Sequence, residues 1–305
     1  DTVERHFMDT IIGGKWLPDQ DMAWKLCELA VERIHELENE IGCFFDRNPD
    51  GSLHHKAFAG QTADRTVHKG DLTGIEIINR LMEQVLARRV EKLQEHRAIG
   101  LIPTADRSAL AGVLMIDMRT GRFRLVRAKA VLMATGGGPT MYRYHTPSGD
   151  KTMDGLAMAL RAGLPLRDME MVQFHPTGIF PAGILVTEGC RGDGGLLLDG
   201  DEHRFMPDYE PEKAELASRD VVSRRMEEHV KAGHGAKTRF GEHLWLDIRL
   251  LGADHINRNL REVKEICQYF LGIDPVTDLI PVRPAQHYSM GGVRTDYRGE
   301  SIGLR

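Results

Sequence analysis

Apolar residues recur at helical spacing between Asp19 and Gly42, at Met22, Leu26, Leu29, Ala30, Leu37 and Ile41. The pattern predicts a helix capped by Asp19 or Asp21, with Trp24 in its core. Asn48-Pro49-Asp50-Gly51 reads as a turn. A second helix is predicted over 73–95, where Ile78, Leu81 and Val85 share a face opposite many charges. The period then shortens. Gly112 to Met118 and Phe123 to Arg127 alternate about Thr120-Gly121, which predicts a short antiparallel hairpin. Ala128 to Met133 is an apolar run, read as a buried strand that ends in Ala134-Thr135-Gly136-Gly137-Gly138. Asp154 opens a helix over Leu156–Ala162, where its carboxylate would suit the free amides of the first turn. Further helices are predicted over Leu216–Val230 and Asp254–Phe270, with a strand at Leu244–Ile248 between them.

One stretch stands apart from this packing pattern. From Gln173 to Gly195 the chain holds His175, Thr187, Glu188, Cys190 and Arg191, and its end is crowded with glycine. Ile184 to Val186 reads as a strand that delivers Thr187-Glu188 to a loop, and the glycines allow sharp turns or close approach to a ligand. A glycine-rich surface turn with incidental charges is the alternative reading of the same residues.

Composition narrows the classes. The 305 residues are enough for two domains and a substantial core. The net charge of −5 offers no basic footprint, so no nucleic-acid partner is expected. No apolar run approaches the roughly 18 to 20 residues of a membrane helix, and no signal peptide is read at the start. Cys27, Cys43, Cys190 and Cys267 are scattered without a C-x-x-C pair, which argues against zinc and disulfides and for a reducing compartment. His54-His55 lacks a third ligand nearby, so no metal is expected.

H-P-T-G at His175, followed twelve residues on by T-E-G-C-R-G-x-G-G, resembles the flavoprotein subunits of succinate dehydrogenases and fumarate reductases. The similarity covers essentially the whole chain, from the Met8-to-Asp21 segment to H-Y-S-M-G-G around Tyr288. Gly189-Cys190 and Met290 favour this branch over L-aspartate oxidase. That enzyme and a soluble fumarate reductase are the alternative activities, and a non-catalytic protein-binding fragment is the alternative outside catalysis.

The resemblance implies an α/β (α+β) fold: part of an FAD-binding Rossmann-like domain interrupted by an α+β capping domain. It implies that residues 1–168 belong to the FAD-binding domain, 169–286 to the capping and substrate domain, and 287–305 to the return into the FAD-binding domain. FAD is the implied cofactor, succinate and fumarate the dicarboxylate substrates. Iron–sulfur and membrane-anchor subunits are the implied partners. The implied place is the cytoplasmic side of a bacterial inner membrane, as a peripheral subunit, or the mitochondrial matrix side. The chain opens at Asp1 and holds no G-x-G-x-x-G. The family's dinucleotide fingerprint, the histidine bonded to FAD and a last substrate arginine beyond Arg305 are therefore expected outside it. The chain is read as an internal piece, inactive in isolation.

Site roles follow from the same resemblance. Ala134, Thr135, Gly136 and Gly137 match a segment that passes the FAD. Asp154, 21 residues before His175, matches a residue that contacts it, although Met153 stands where the family has glycine. His175, Thr187, Glu188 and His287 match substrate-site positions, and donors are what a small dianion requires. Arg65-Thr66 and Asp71-x-Thr73-Gly74 resemble a segment near flavin and substrate, while a helix-capping loop with a satisfied ion pair is the other reading of those residues. Hydride moves to or from flavin N5, and Arg219 matches the proton carrier, supplied through Glu188 and Arg191. A positive charge near a helix start is mildly disfavoured, which fits a selected role for Arg219. Glu188 and Arg191, three apart, would face one way in a helical loop. Cys190, beside a cation, is expected to be a reagent-sensitive thiol without a catalytic role.

Overall fold

A computed structural model describes residues 1–56, 61–70 and 72–304. Ala59, Gly60, Asp71 and Arg305 lie outside the described residues. The chain divides into two compact units, one of residues 1–96 with 295–300 and one of residues 97–294 with 301–305.

The first unit is built on three helices. α1 (Val3–Gly13) is capped by Thr2, whose hydroxyl accepts the Arg5 N–H. α2 (Gln20–Glu36) is capped by Asp19, which accepts the Met22 N–H at 3.2 Å, and it runs on as a π turn to Ile41 before Gly42 breaks it at φ 90°. The buried stripe differs from expectation. Ala23 and Cys27 are the buried residues of α2, whereas Trp24 is 39% and Leu26 64% exposed. Small residues occupy the crossing because α1 comes close, with Thr10 Oγ1 3.7 Å from Cys27 Sγ. Asn48 and Gly51 close the predicted turn. β1 (His55–Lys56) pairs with β2 (Thr66–Val67). Arg65 is held by Asp1 and Asp9, as the ion-pair reading of that loop expects. α3 (Thr73–Ala87) ends earlier than the predicted 95, because Arg89 turns left-handed at φ 54°.

The second unit begins with a three-stranded meander of β3 (His96–Pro103), β4 (Leu110–Asp117) and β5 (Phe123–Arg127). The β4–β5 hairpin was expected; β3 was not. The apolar run at 128–133 is not a buried strand: beyond one bond from the Ala128 N–H to the Ala111 carbonyl at 3.3 Å it forms no strand, and Leu132 is 93% exposed while Val131 and Met133 are half-buried. α4 (Asp154–Arg161) packs Met158 and Ala159 with Leu101, Leu164 and Leu304 in a small core. β6 (Leu166–Arg167) pairs with β12 (Gly292–Val293) near the end of the chain.

The larger core lies around an antiparallel sheet of β7 (Val172–Ile179), β8 (Leu196–Leu198), β9 (Ala236–Thr238), β10 (Gly241–Asp247) and β11 (Ile280–Ser289), ordered β7-β11-β10-β8 with β9 beside β10. Between these strands come α5 (Gly189–Gly192), α6 (Met206–Tyr209), α7 (Arg219–His229), α8 (Ala253–Asn259) and α9 (Arg261–Leu271). Leu244, Leu246, Val222, Met226, Ile256, Val263 and Cys267 meet in that core. The helix expected from 254 to 270 is two helices, because Leu260 leaves helical geometry at ψ 33°. α7 starts at Arg219 rather than Leu216, after a separate 3-10 turn over Ala214–Leu216. Residues 184–186 are not a regular strand. They return along β7 through single bonds, Ile179 N–H to the Ile184 carbonyl at 2.7 Å and Val186 N–H to the Thr177 carbonyl at 2.9 Å.

β7 and β11 approach closely at Gly178, where a Cβ would lie 2.7 Å from Ala285 Cβ and near two carbonyl oxygens. Gly178→Ala should therefore destabilise the fold by about 1–3 kcal/mol through overpacking. Urea unfolding checks this, and an unchanged midpoint would show that the two strands can separate without cost.

Candidate active site

Strand alternation puts Gln173 and His175 on one face of β7 and Phe174 on the other. Two irregularities then set what faces them. Arg283 pairs with Gly178 and Ala285 with His175, which leaves an extra residue on β7. Gln286 pairs with Phe174 and Tyr288 with Gln173, which leaves His287 as the extra residue on β11. A bulge frees a residue from the ladder and re-aims its side chain. His287 accordingly lies with its ring 5.1 Å from that of His175, its Nδ1 2.6 Å from Thr146 Oγ1.

His175 is buried, and its Nδ1 accepts the Thr177 backbone N–H at 3.2 Å. The neutral ring therefore carries its proton on Nε2, its donor. Burial pushes His175 down to about 2, assisted by the charges of Arg219 and Arg191 and by His287. Burial also lowers His287, with Arg219 acting in the same direction.

α7 docks on β7 through Ser223, whose hydroxyl donates to the Phe174 carbonyl at 3.1 Å. This brings its first residue, Arg219, to Glu188: Nε donates to Oε2 at 2.7 Å. Arg219 also donates to Gln173 Oε1 at 2.9 Å. Gln173 had no role assigned from sequence; its signal was the two-residue spacing from His175. Glu188 sits at the start of the short α5, and the expected common face of Glu188 and Arg191 is present, with Oε2 3.9 Å from the Arg191 guanidinium. Arg191 is 2% exposed and donates to the Glu215 carbonyl. Burial lowers its pKa, and the charge of Glu188 opposes that. Thr187 adjoins Glu188, and its hydroxyl accepts the Gly189 N–H at 3.3 Å. The expectation for Cys190 is corrected: the thiol is fully buried, and burial raises it to about 12, outweighing Arg191.

The second group of residues gathers where β11 ends. A Cβ on Gly137 would lie 3.3 Å from Ser289 Oγ, and one on Gly155 only 1.8 Å from Thr135 Oγ1. Gly137 accepts the Met153 N–H. Ala134, Thr135 and Gly136 are exposed. Asp154 is the first residue of α4, after the N-cap Met153; it pairs with Arg97, which, with Thr152, holds its carboxyl below the usual range. Met153 adopts φ 66°, the left-handed geometry that glycine takes freely.

The profile described as "FAD binding domain" matches residues 1–303. The chain belongs to the FAD binding domain family. Within this family it is 38% identical to the fumarate reductase flavoprotein subunit of Serratia sp., over 99% of this chain and 52% of that protein. It is 38% identical to the mitochondrial succinate dehydrogenase [ubiquinone] flavoprotein subunit of rice, over 98% of this chain and 48% of that protein. A solved E. coli quinol fumarate reductase chain superposes with a TM-score of 0.93 at 37% identity, covering 99% of this chain and 53% of that one. The chain thus spans about half the length of these relatives. FAD is the family's cofactor, and the exposed Ala134–Gly136 backbone fits it, because glycine and alanine leave little side chain between backbone and a planar ring.

Folded His175 stays neutral, whereas the unfolded chain protonates it below its ordinary 6.5. The unfolded state then binds more protons as pH falls, so stability declines on acidification. The share from this residue is up to about 1.4 kcal/mol per pH unit. His175→Gln should flatten the pH dependence of urea unfolding below about pH 6 by close to one proton. Equal slopes in variant and wild type would show His175 to be solvated when folded.

Proposed function

We propose that this chain handles substrate and cofactor in a flavin-dependent interconversion of succinate and fumarate. The observation that carries the reading is the connected Arg219–Glu188–Arg191 group beside the neutral His175 and His287. In this reading residues 169–286 form the capping domain, with 1–168 and 287–305 contributing to the FAD-binding domain. Ala134, Thr135, Gly136, Gly137 and Asp154 would hold FAD. When bound, FAD supplies hydride transfer at the substrate carbon–carbon bond.

The chain's own residues manage charge and proton. The His175 Nε2–H, His287 and the Thr187 hydroxyl donate to the two substrate carboxylates. Arg219 holds the proton for the carbon opposite the hydride. In fumarate reduction Arg219 gives that proton to carbon, and Glu188, 2.7 Å from its Nε, returns one; oxidation reverses both transfers. Arg191 continues the relay on the far side of Glu188. Iron–sulfur and membrane-anchor subunits would be partners, and the chain would be peripheral on the cytoplasmic side of a bacterial inner membrane or on the matrix side. Among the described residues, no helix is long and apolar enough to cross a membrane.

Two tests apply to flavin-loaded protein. Arg219→Gln, or even Arg219→Lys, should reduce kcat by several orders of magnitude, a loss above about 4 kcal/mol. Dicarboxylate inhibitors should bind with much smaller loss, because His175, Thr187 and His287 remain. Retention of more than about a tenth of kcat, below roughly 1.4 kcal/mol of barrier, would remove Arg219 as the acid.

The second test concerns Asp154. Because Met153, not Asp154, occupies the N-cap of α4, Asp154→Ala should lower the flavin-to-protein ratio well beyond any change in melting temperature. Unchanged flavin with reduced melting would assign it to α4 stability alone.

A further inference from the structure

At the opposite end of α7 from Arg219, three ligand-type side chains converge outside the redox site. Asp199, just after β8, is buried. Its Oδ1 accepts the backbone N–H groups of Asp201 and His203, both at 2.9 Å, and so is fixed. Its Oδ2 faces Nε2 of His229, the last residue of α7, at 3.3 Å. That separation is longer than the roughly 2.7–2.9 Å of a charge-assisted bond. His229 is buried, its ring stacked on Phe205 at 4.4 Å on one side and on His234 at 4.6 Å on the other. Its Nδ1 lies 3.0 Å from Tyr209 Oη. Tyr209 can receive the Nδ1 proton, which turns the Nε2 lone pair toward Asp199, as an outer partner does for a ligating histidine.

His234 is in place because the helix changes there. Five residues apart on an α-helix, two side chains point about 140° away from each other. After His229 the helix runs out over Val230–His234, where Gly233 turns left-handed at φ 94°, and this kink returns the His234 ring to that of His229. Donor atoms of Asp199, His229 and His234 all lie within 4.8 Å of one another. A cation at about 2.0–2.2 Å from each donor requires them somewhat closer. The His234 ring, stacked on that of His229, must also turn so that its in-plane lone pair faces the ion, and the exposed His234 can make that movement.

We propose that Asp199, His229 and His234 bind one borderline divalent cation, with Zn²⁺ as the reference ion. Two imidazoles and one carboxylate suit Zn²⁺, Co²⁺ or Ni²⁺ and not Mg²⁺ or Ca²⁺, which prefer oxygen throughout. Three protein ligands leave a further position for water, open through His234. The bound ion joins the end of β8 to the C-terminal end of the helix that begins at Arg219.

The test uses chelator-treated, flavin-loaded protein, titrated with Zn²⁺ by calorimetry and with Co²⁺ by visible absorption. One equivalent should bind, with Co²⁺ bands of low coordination number, and Zn²⁺ should raise the melting temperature. His234→Gln, an exposed change that leaves the fold intact, should weaken binding by at least about tenfold, the loss that even outer partners produce. Asp199→Asn should do likewise. His203→Gln serves as control: His203 is exposed and only 3.9 Å from Asp199 Oδ2, outside the ligand set. Absence of stoichiometric binding, wild-type affinity in His234→Gln, or a loss confined to His203→Gln would overturn the assignment.

Discussion

Removing a guanidinium from water costs several kcal/mol unless charge and hydrogen bonds replace the lost solvation. Arg191, 2% exposed, imposes that demand on its surroundings. The Glu215 carbonyl meets one nitrogen, and Glu188 stands 3.9 Å away as the compensating charge. Glu188 is thereby pinned, and the same carboxylate oxygen receives Arg219 from α7. The position of α7 on β7 is therefore coupled to a charge buried on the other side of Glu188. Burial keeps the His175 ring neutral, and the charges of both arginines act in the same direction.

Much of this region was legible because its signals are local. Gly189, Cys190, Arg191 and Gly192 form a single helical turn, and the three-residue spacing of Glu188 and Arg191 means what it does on any helix. The hairpin of β4 and β5 announced itself by alternation about Gly121. Failures came where partners distant in sequence decide. Ala128 to Met133 has strand composition but joins no ladder, so Val131 and Met133 reach the small core only in part and Leu132 is left exposed. Trp24 lost the core to Ala23 because helix crossings select small residues, which hydropathy alone undervalues. Cys190 was judged by its charged neighbours, but burial depends on the whole core and outweighs them.

Asp154 shows a third kind of limit. Its place at the start of α4 was correct, yet its partner is Arg97, which no spacing rule connects to it. The turn before it holds Met153 in a left-handed conformation, so the departure from glycine noticed in the sequence coincides with a real conformational cost. Gln173 was missed for the opposite reason: its pairing with Arg219 lies on the same strand face as His175, but a neutral amide raises no alarm in a sequence.

The bulge that leaves His287 unpaired on β11 has an implication for how this sheet can change over time. Deleting one residue there would restore ordinary pairing, recover a lost ladder bond and make a more regular strand, while turning the histidine away from His175. Regularity and the paired histidines are thus alternative outcomes at one backbone position. Selection for stability alone would straighten the strand, so the irregularity persists only where something other than stability maintains it.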